Sequence, residues 1–169
     1  MNNHTLWSLR LGYSAKQAKT IQKIGLQKFL EQSFATKVDS KIPNFLEDSP
    51  KSSQELKEIR KTLIAANPEA KKELLKKEIQ TSLAMKSWWI DKMREDEFPL
   101  REKMTCFWQN HYVSTFQKVK VNYWVFQHNQ ILRENTLGNF KTQTKKTIQR
   151  KPMVRYMENV DNRKGKHNE

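Results

Sequence analysis

The sequence predicts an all-α fold, an irregular bundle of about six helices followed by a disordered basic tail, and three observations carry that prediction. Four Gly and five Pro in 169 residues are too few for a turn-dense sandwich, a collagen-like chain or a flexible linker. Bulky side chains recur at helical spacing, most regularly at Leu100, Met104, Phe107, Trp108 and His111, which fall at i, i+4, i+7, i+8 and i+11. Apolar residues reach only 36%, yet five Trp, four Tyr and eight Phe are present, more than a disordered polyampholyte carries. A thin but packed core follows. The length is that of one domain, read as residues 1–158 forming a single helical domain, or the N-terminal part of a larger one, with 159–169 as the tail.

Ser14 is placed to N-cap a helix carrying Ala18 and Ile21, and Gly25 to supply the left-handed residue that ends it. Leu26, Phe29, Leu30 and Phe34 then mark a second helix. Pro43 and Pro50 make 36–51 a connecting loop that Ile42, Phe45 and Leu46 anchor to the core. Ser52 and Glu55 form a capping box ahead of the stripe Leu56, Ile59, Leu63 and Ile64. Asn67 and Pro68 begin the longest helix, whose core face is read as Leu75, Ile79, Leu83, Trp89, Ile90 and Met93. Its charged side, with Glu73 and Lys77 four apart, is a solvated face.

Asp96 and Glu97 supply N-terminal charge to the helix that Pro99 opens. The Lys-Val-Lys-Val alternation before Trp124 has the look of a short extended piece, but it lacks a second strand to pair with. Trp124, His128, Ile131 and Leu132 resume the helical spacing. Beyond Asn135 the pattern weakens, since Phe140 and Ile148 are the only large apolar residues between Leu137 and Pro152. The expected core is Trp89, Met104, Phe107, Trp108, Trp124 and Leu132.

The function classes that composition leaves open are few. Cys106 is the single cysteine, so no internal disulfide forms and no redox compartment follows. The first thirteen residues lack the charged and apolar regions of a secretory signal, and no segment has the length of a membrane span. The chain reads as soluble and unexported. With no Gly-rich phosphate loop, CxxC, HExxH or GxSxG, no cofactor is expected. His111 and His128 lie on helix faces that can pack together, but Phe107, Trp108 and Thr115 beside His111 offer no further ligand, so no metal is expected. A hydrogen-bonded core histidine, satisfied by Asn110, Asn135 or a backbone carbonyl, is the favoured reading.

Thirty-two Lys and Arg against 18 Asp and Glu leave a net charge of +14. Such a surface can hold phosphates by charge alone, with affinity that falls as salt rises. Lys145, Lys146, Arg150, Lys151, Arg163, Lys164 and Lys166 are the candidate polyanion-binding residues. The tryptophans Trp88, Trp89, Trp108 and Trp124 would add base stacking only if their rings were exposed, and placement on apolar helix faces uses those rings first. For catalysis the polar candidates are Asn110, His111 and Arg133, although no nucleophile, base and orienting group can be assigned together.

Several stretches have a family likeness. Trp88-Trp89-Ile90-Asp91-Lys92-Met93, Phe98-Pro99-Leu100-Arg101-Glu102-Lys103-Met104 and Phe107-Trp108-Gln109-Asn110-His111-Tyr112 come first. Leu9-Arg10-Leu11-Gly12-Tyr13, Leu132-Arg133-Glu134-Asn135, Leu137-Gly138-Asn139-Phe140 and the run from Asn159 to Lys166 complete an ordered set. The set resembles the bacterial family called domain of unknown function 1800, over nearly the whole chain. The resemblance implies proteins of several hundred residues, often exported, with no established activity. In relatives the Asn-Glu step found here at Asn168-Glu169 leads into a further helix, which implies a truncated N-terminal portion. Gln109 stands where the family usually has a second histidine, and an amide cannot exchange a proton near neutral pH.

The expectation that results is a helical region serving as scaffold for a site completed downstream, inactive alone as an enzyme. Its partner is the missing C-terminal part or a second copy. The alternative is a small basic module binding nucleic acid or another polyanion through its Lys and Arg surface.

Overall fold

The computed structural model describes residues 3–67 and 69–157. Among these residues the chain is all-α, as expected, but it forms ten α-helices rather than about six. They are α1 Asn3–Leu11, α2 Ala15–Ile24, α3 Leu26–Ala35, α4 Ser53–Ala66, α5 Ala70–Glu95, α6 Leu100–His111, α7 Phe116–Val119, α8 Asn122–Asn135, α9 Phe140–Ile148 and α10 Lys151–Tyr156, with a short 3-10 turn at Asn44–Leu46. The expected tail at 159–169 lies outside the described residues.

Local chemistry sets most of the boundaries. Ser14 caps α2 with a reciprocal capping box, in which the Gln17 side chain accepts from the Ser14 backbone N–H at 2.9 Å. Gly25 has the positive φ of 83° that separates α2 from α3, but its ψ of 157° is extended and not left-handed helical. Ser52 caps α4 by accepting from Glu55 N–H at 3.1 Å, while the Glu55 carboxylate reaches back to Lys51 N–H at 2.8 Å. Asp96 accepts from Phe98 N–H at 2.9 Å, a turn that ends α5 and sets the chain at Pro99 for α6. The Lys-Val-Lys-Val piece is not extended: it closes the single turn α7 and then takes a left-handed residue, Lys120, at φ 65°.

α8 is the centre of the bundle, packed against α5, α6, α7, α9 and α10. Nine of its residues are buried, and they include Asn122, His128, Asn129, Gln130 and Arg133 beside Trp124, Val125, Phe126 and Leu132. Leu56, Val119, Val121, Trp124 and Val125 form the main apolar cluster. Of the expected core, Trp124 and Leu132 are buried, whereas Trp89, Met104 and Trp108 are half-buried and Phe107 is exposed. Phe107 instead lies edge-on to Trp108, with ring centroids 5.0 Å apart.

The largest reversal concerns α5. Its buried residues are Glu78, Thr81 and Ser82, while Leu75, Ile79, Leu83 and Ile90 of the expected core face are exposed. α9 holds despite its weak apolar pattern because its first residue, Phe140, stacks on Trp108 at 5.4 Å, and Thr144 hydrogen-bonds the Tyr112 hydroxyl at 2.7 Å.

Candidate functional site

The densest polar constellation lies where the first turn of α6 meets the last turn of α8. Glu102 is drawn to the N-terminal end of α6, where unpaired N–H groups favour a carboxylate. Arg133 follows Leu132 on a helix buried on nearly every side, so its guanidinium has to find its counter-charge inside the protein. The two form a bidentate pair: Arg133 Nε donates to Glu102 Oε1 at 2.7 Å and Nη2 donates to Oε2 at 3.0 Å.

Further donors and acceptors complete the network. Trp89 Nε1 donates to Glu102 Oε2 at 2.8 Å, and Arg133 Nη1 donates to the Gln130 side-chain oxygen. The Gln130 amide then donates to the Asp39 carbonyl at 3.0 Å. The Arg133 guanidinium also lies 5.1 Å from the centre of the Trp88 ring, on which the Lys92 ammonium sits at the same distance. Arg101 donates to the Thr36 carbonyl at 3.0 Å and to the Arg133 carbonyl at 3.2 Å; burial pulls its pKa down. Lys92 pairs with Asp39 at 3.1 Å, and a backbone N–H from Lys41, with Lys92 second, holds the Asp39 carboxyl below its ordinary range. A cavity of about 320 Å³ opens among Asp39, Lys92, Asp96, Arg101, Glu102 and Arg133.

This arrangement is electrostatically self-satisfied. Glu102 accepts from Arg133 and Trp89, so using it as a base would strip a buried arginine of its partner. What the network can do is fasten the 36–39 loop and α5 to α6 and α8.

Of the candidates read from sequence, only Arg133 belongs to the network. Asn110 and His111 are exposed at the far end of α6, about 12 Å along the helix from Glu102 at 1.5 Å per residue. The His111 ring stacks on Phe107 at 5.8 Å. His128 is the core histidine, fully buried and bonded at 2.6 Å to the Tyr112 carbonyl. Among the described residues no group of His, Cys, Asp and Glu converges as a metal-binding set, and no helix is long and apolar enough to cross a membrane.

The basic candidates are spread out. Lys145 and Lys146 are exposed on α9, and Lys146 donates to the Asn135 side chain at 2.9 Å. Arg150 and Lys151 border a cleft of about 530 Å³ with Lys51 and Trp124, and the Lys151 ammonium lies 5.7 Å from the Trp124 ring. Arg163, Lys164 and Lys166 lie outside the described residues.

Glu102, Arg101 and Gln130 carry no site signal of their own in the sequence, and Trp89 reads there as a core ring or a stacking ring and not as a hydrogen-bond donor. The one available signal was the crowding of polar residues His128, Asn129, Gln130 and Arg133 on a helix that also carries Trp124 and Leu132.

The family model described as protein of unknown function (DUF1800) matches residues 4–169. The chain belongs to this family. No curated protein and no solved structure matches it. For this DUF1800 chain the match runs across the α5, α6 and α8 segments that build the Glu102–Arg133 network. The family description assigns no activity, so the chemistry has to be argued from the geometry.

Proposed function

We propose that the chain is a helical scaffold within a larger bacterial protein, and that the outer face of α5 receives a further helix, supplied by chain downstream of this region. The observation that carries this reading is the inversion of α5. Leu75, Ile79, Leu83 and Ile90 are 52%, 45%, 56% and 60% exposed, while Glu78 and Thr81 are buried beneath them. Leu75, Ile79 and Leu83 stand four residues apart, and with Ile90 they extend about 22 Å along the helix. Each such side chain, about half in water, forgoes roughly 1 kcal/mol of burial free energy. Helix-on-helix packing is how the rest of the chain hides its apolar stripes, so a helix is the cover that fits. The Glu102–Arg133 network favours the same reading, since it fastens elements and its buried carboxylate is committed to Arg133 and Trp89.

Light scattering with limited proteolysis tests this. Without its cover the stripe is expected to drive self-association, and the combined change Leu75→Ser, Ile79→Ser and Leu83→Ser is expected to return a helical monomer. A protease-resistant monomer in the unaltered chain, at every concentration, would overturn it.

A second reading, binding of nucleic acid or another polyanion, is favoured by one observation, the convergence of Lys51, Arg150 and Lys151 beside Trp124. Filter binding of single-stranded oligonucleotides at low and high salt decides it, and no retention at low salt removes it.

A further inference from the structure

The cleft of about 530 Å³ beside Trp124 has two unlike ends. Trp124 fixes the first: its indole N–H donates to the Lys51 carbonyl at 2.9 Å, and the Lys151 ammonium lies 5.7 Å from its ring centre. Arg150, next to Lys151, lines the same cleft. All three cationic side chains are exposed, and none has an acidic partner among the described residues. The second end differs. Gln127, Ile131 and Glu134 follow along α8, and Glu134, about 15 Å from Trp124 along the helix, is the single carboxylate on the lining. The cavity at the Glu102–Arg133 network is balanced instead, with four cations and four carboxylates on its lining, and the one between α4 and α5 sets Lys77 against Asp48, Glu73 and Glu78. The excess of cations is therefore particular to the Trp124 cleft and does not merely follow from net charge.

We propose that this cleft binds a small phosphate monoester, with the phosphate among Lys51, Arg150 and Lys151 and an uncharged, donor-bearing body extending toward Glu134. The inference rests on the second reading above, anion binding beside Trp124, and narrows it from a polymer to a small molecule. Charge selects the head. A phosphate monoester carries about −1.5 to −2 near neutral pH, which suits three cations better than a singly charged carboxylate does, and the Arg150 fork matches phosphate oxygens. The body is selected by the rest of the lining. Ile42, Tyr123 and Ile131 offer apolar surface, while Ser40 and Gln127 are exposed hydrogen-bonding groups. The volume falls in the range of roughly 300–1,000 Å³ that small-molecule sites occupy. A polyanion continuing along α8 would carry its next charges away from the cations and toward Glu134, where like charges repel. A nucleoside-sized body with hydroxyl or amino groups meets Glu134 as an acceptor instead.

Calorimetric titration of the whole chain at low salt tests the assignment, with adenosine monophosphate, adenosine, inorganic phosphate and an oligoadenylate lacking a terminal phosphate. Adenosine monophosphate is expected to bind once per chain, about tenfold more tightly than adenosine, which lacks the head, or inorganic phosphate, which lacks the body. The oligoadenylate is expected to bind no more tightly than the monophosphate. Arg150→Gln combined with Lys151→Gln should bring the monophosphate down to the affinity of adenosine. Lys16→Gln combined with Lys19→Gln, which removes the same charge from exposed positions of α2, should leave it within about twofold. Should the first variant lose helix, Lys51→Gln in the connecting loop is expected to weaken the monophosphate about fivefold. Binding no tighter than that of adenosine or of phosphate, or an equal loss in the α2 variant, would overturn the inference. Tighter binding of the oligoadenylate would overturn it while leaving the second reading in place, and no binding of any of the four removes both.

Discussion

Arg133 and Glu102 face each other through two hydrogen bonds of 2.7 and 3.0 Å, with side chains only 3% and 6% exposed. Such a pair is costly to desolvate and far costlier to break on one side, where a lone charge stays buried at about 3–5 kcal/mol. Arg133→Met is therefore expected to lose stability of that order in urea unfolding. Adding Glu102→Leu should recover much of the loss, since Trp89 then forfeits one acceptor while no bare carboxylate remains. A double variant no more stable than Arg133→Met alone would show that the pair is not coupled.

The readable part of the sequence was its periodicity and caps. Ser14, Gly25 and Ser52 mark boundaries through local chemistry that operates within a few residues, and Trp124, Leu132 and His128 sit inside as their spacing requires. Reading failed where packing chose between two possible faces. On α5, Glu78 goes inside because Asn122 of α8 donates to both its backbone and side-chain oxygens, at 2.8 and 2.9 Å. That contact spans 44 residues and leaves no local trace. The helix count failed for a related reason: α1, α7, α9 and α10 are short and are held by packing rather than by stripes of their own, α1 on α2, α7 and α10 on each other and on α8, and α9 through Trp108 and Tyr112. Arg133 was legible as a polar candidate, but its partner Glu102 was not, since a separation of 31 positions carries no pairing signal.

Gly12 is buried, and a Cβ there would lie 2.9 Å from Gln17 Cγ and 3.0 Å from its oxygen. Gln17 cannot step aside freely. It is 1% exposed, closes the Ser14 capping box and donates to the Asp96 carbonyl at 3.2 Å, tying α2 to the end of α5. Gly12→Ala is expected to cost about 1–3 kcal/mol, the range of an overpacked core, and to lower the thermal midpoint. Gly25→Ala meets no atom within 4 Å but keeps φ at +83° with ψ at 157°, a region that is essentially glycine-only, and is expected to cost about 1–3 kcal/mol from backbone strain alone.

Lys103 closes the C-terminal end of α1. Its ammonium donates to the Leu9 carbonyl at 2.6 Å and the Gly12 carbonyl at 2.8 Å, and it lies 4.9 Å from the Tyr13 ring. A cation at that pole offsets the helix dipole as well as satisfying free carbonyls. Lys103→Met keeps most of the aliphatic stem and removes the charge. Hydrogen exchange should then speed up across Asn3–Leu11 while the amides of α8 keep their protection; unchanged α1 rates would show the contact to be idle.

Two buried groups give stability opposite dependences on pH. Burial pulls the His128 pKa below its ordinary 6.5, only partly offset by the Tyr112 carbonyl. The folded state holds the ring neutral, with the Nε2 proton on that carbonyl at 2.6 Å, whereas the unfolded chain protonates below about 6.5. The unfolded state therefore binds more protons in this window, and the His128 contribution is lost as pH falls from about 6.5 toward the lowered folded value. Glu78 has the reverse sign. Burial raises its pKa above 4.5 despite the Asn122 bond, so the folded state keeps its proton longer, and its contribution is lost as pH rises from about 4.5 toward the raised value. His128 acts as pH falls below about 6.5 and Glu78 as pH rises above about 4.5, with slopes of opposite sign. Single variants separate them. His128→Gln, which retains a donor for Tyr112, should flatten the loss of stability just below pH 6.5, and Glu78→Gln should flatten the loss just above pH 4.5, both measured by urea unfolding at a series of pH values. If both variants keep the slope of the unaltered protein, neither group carries the pH dependence.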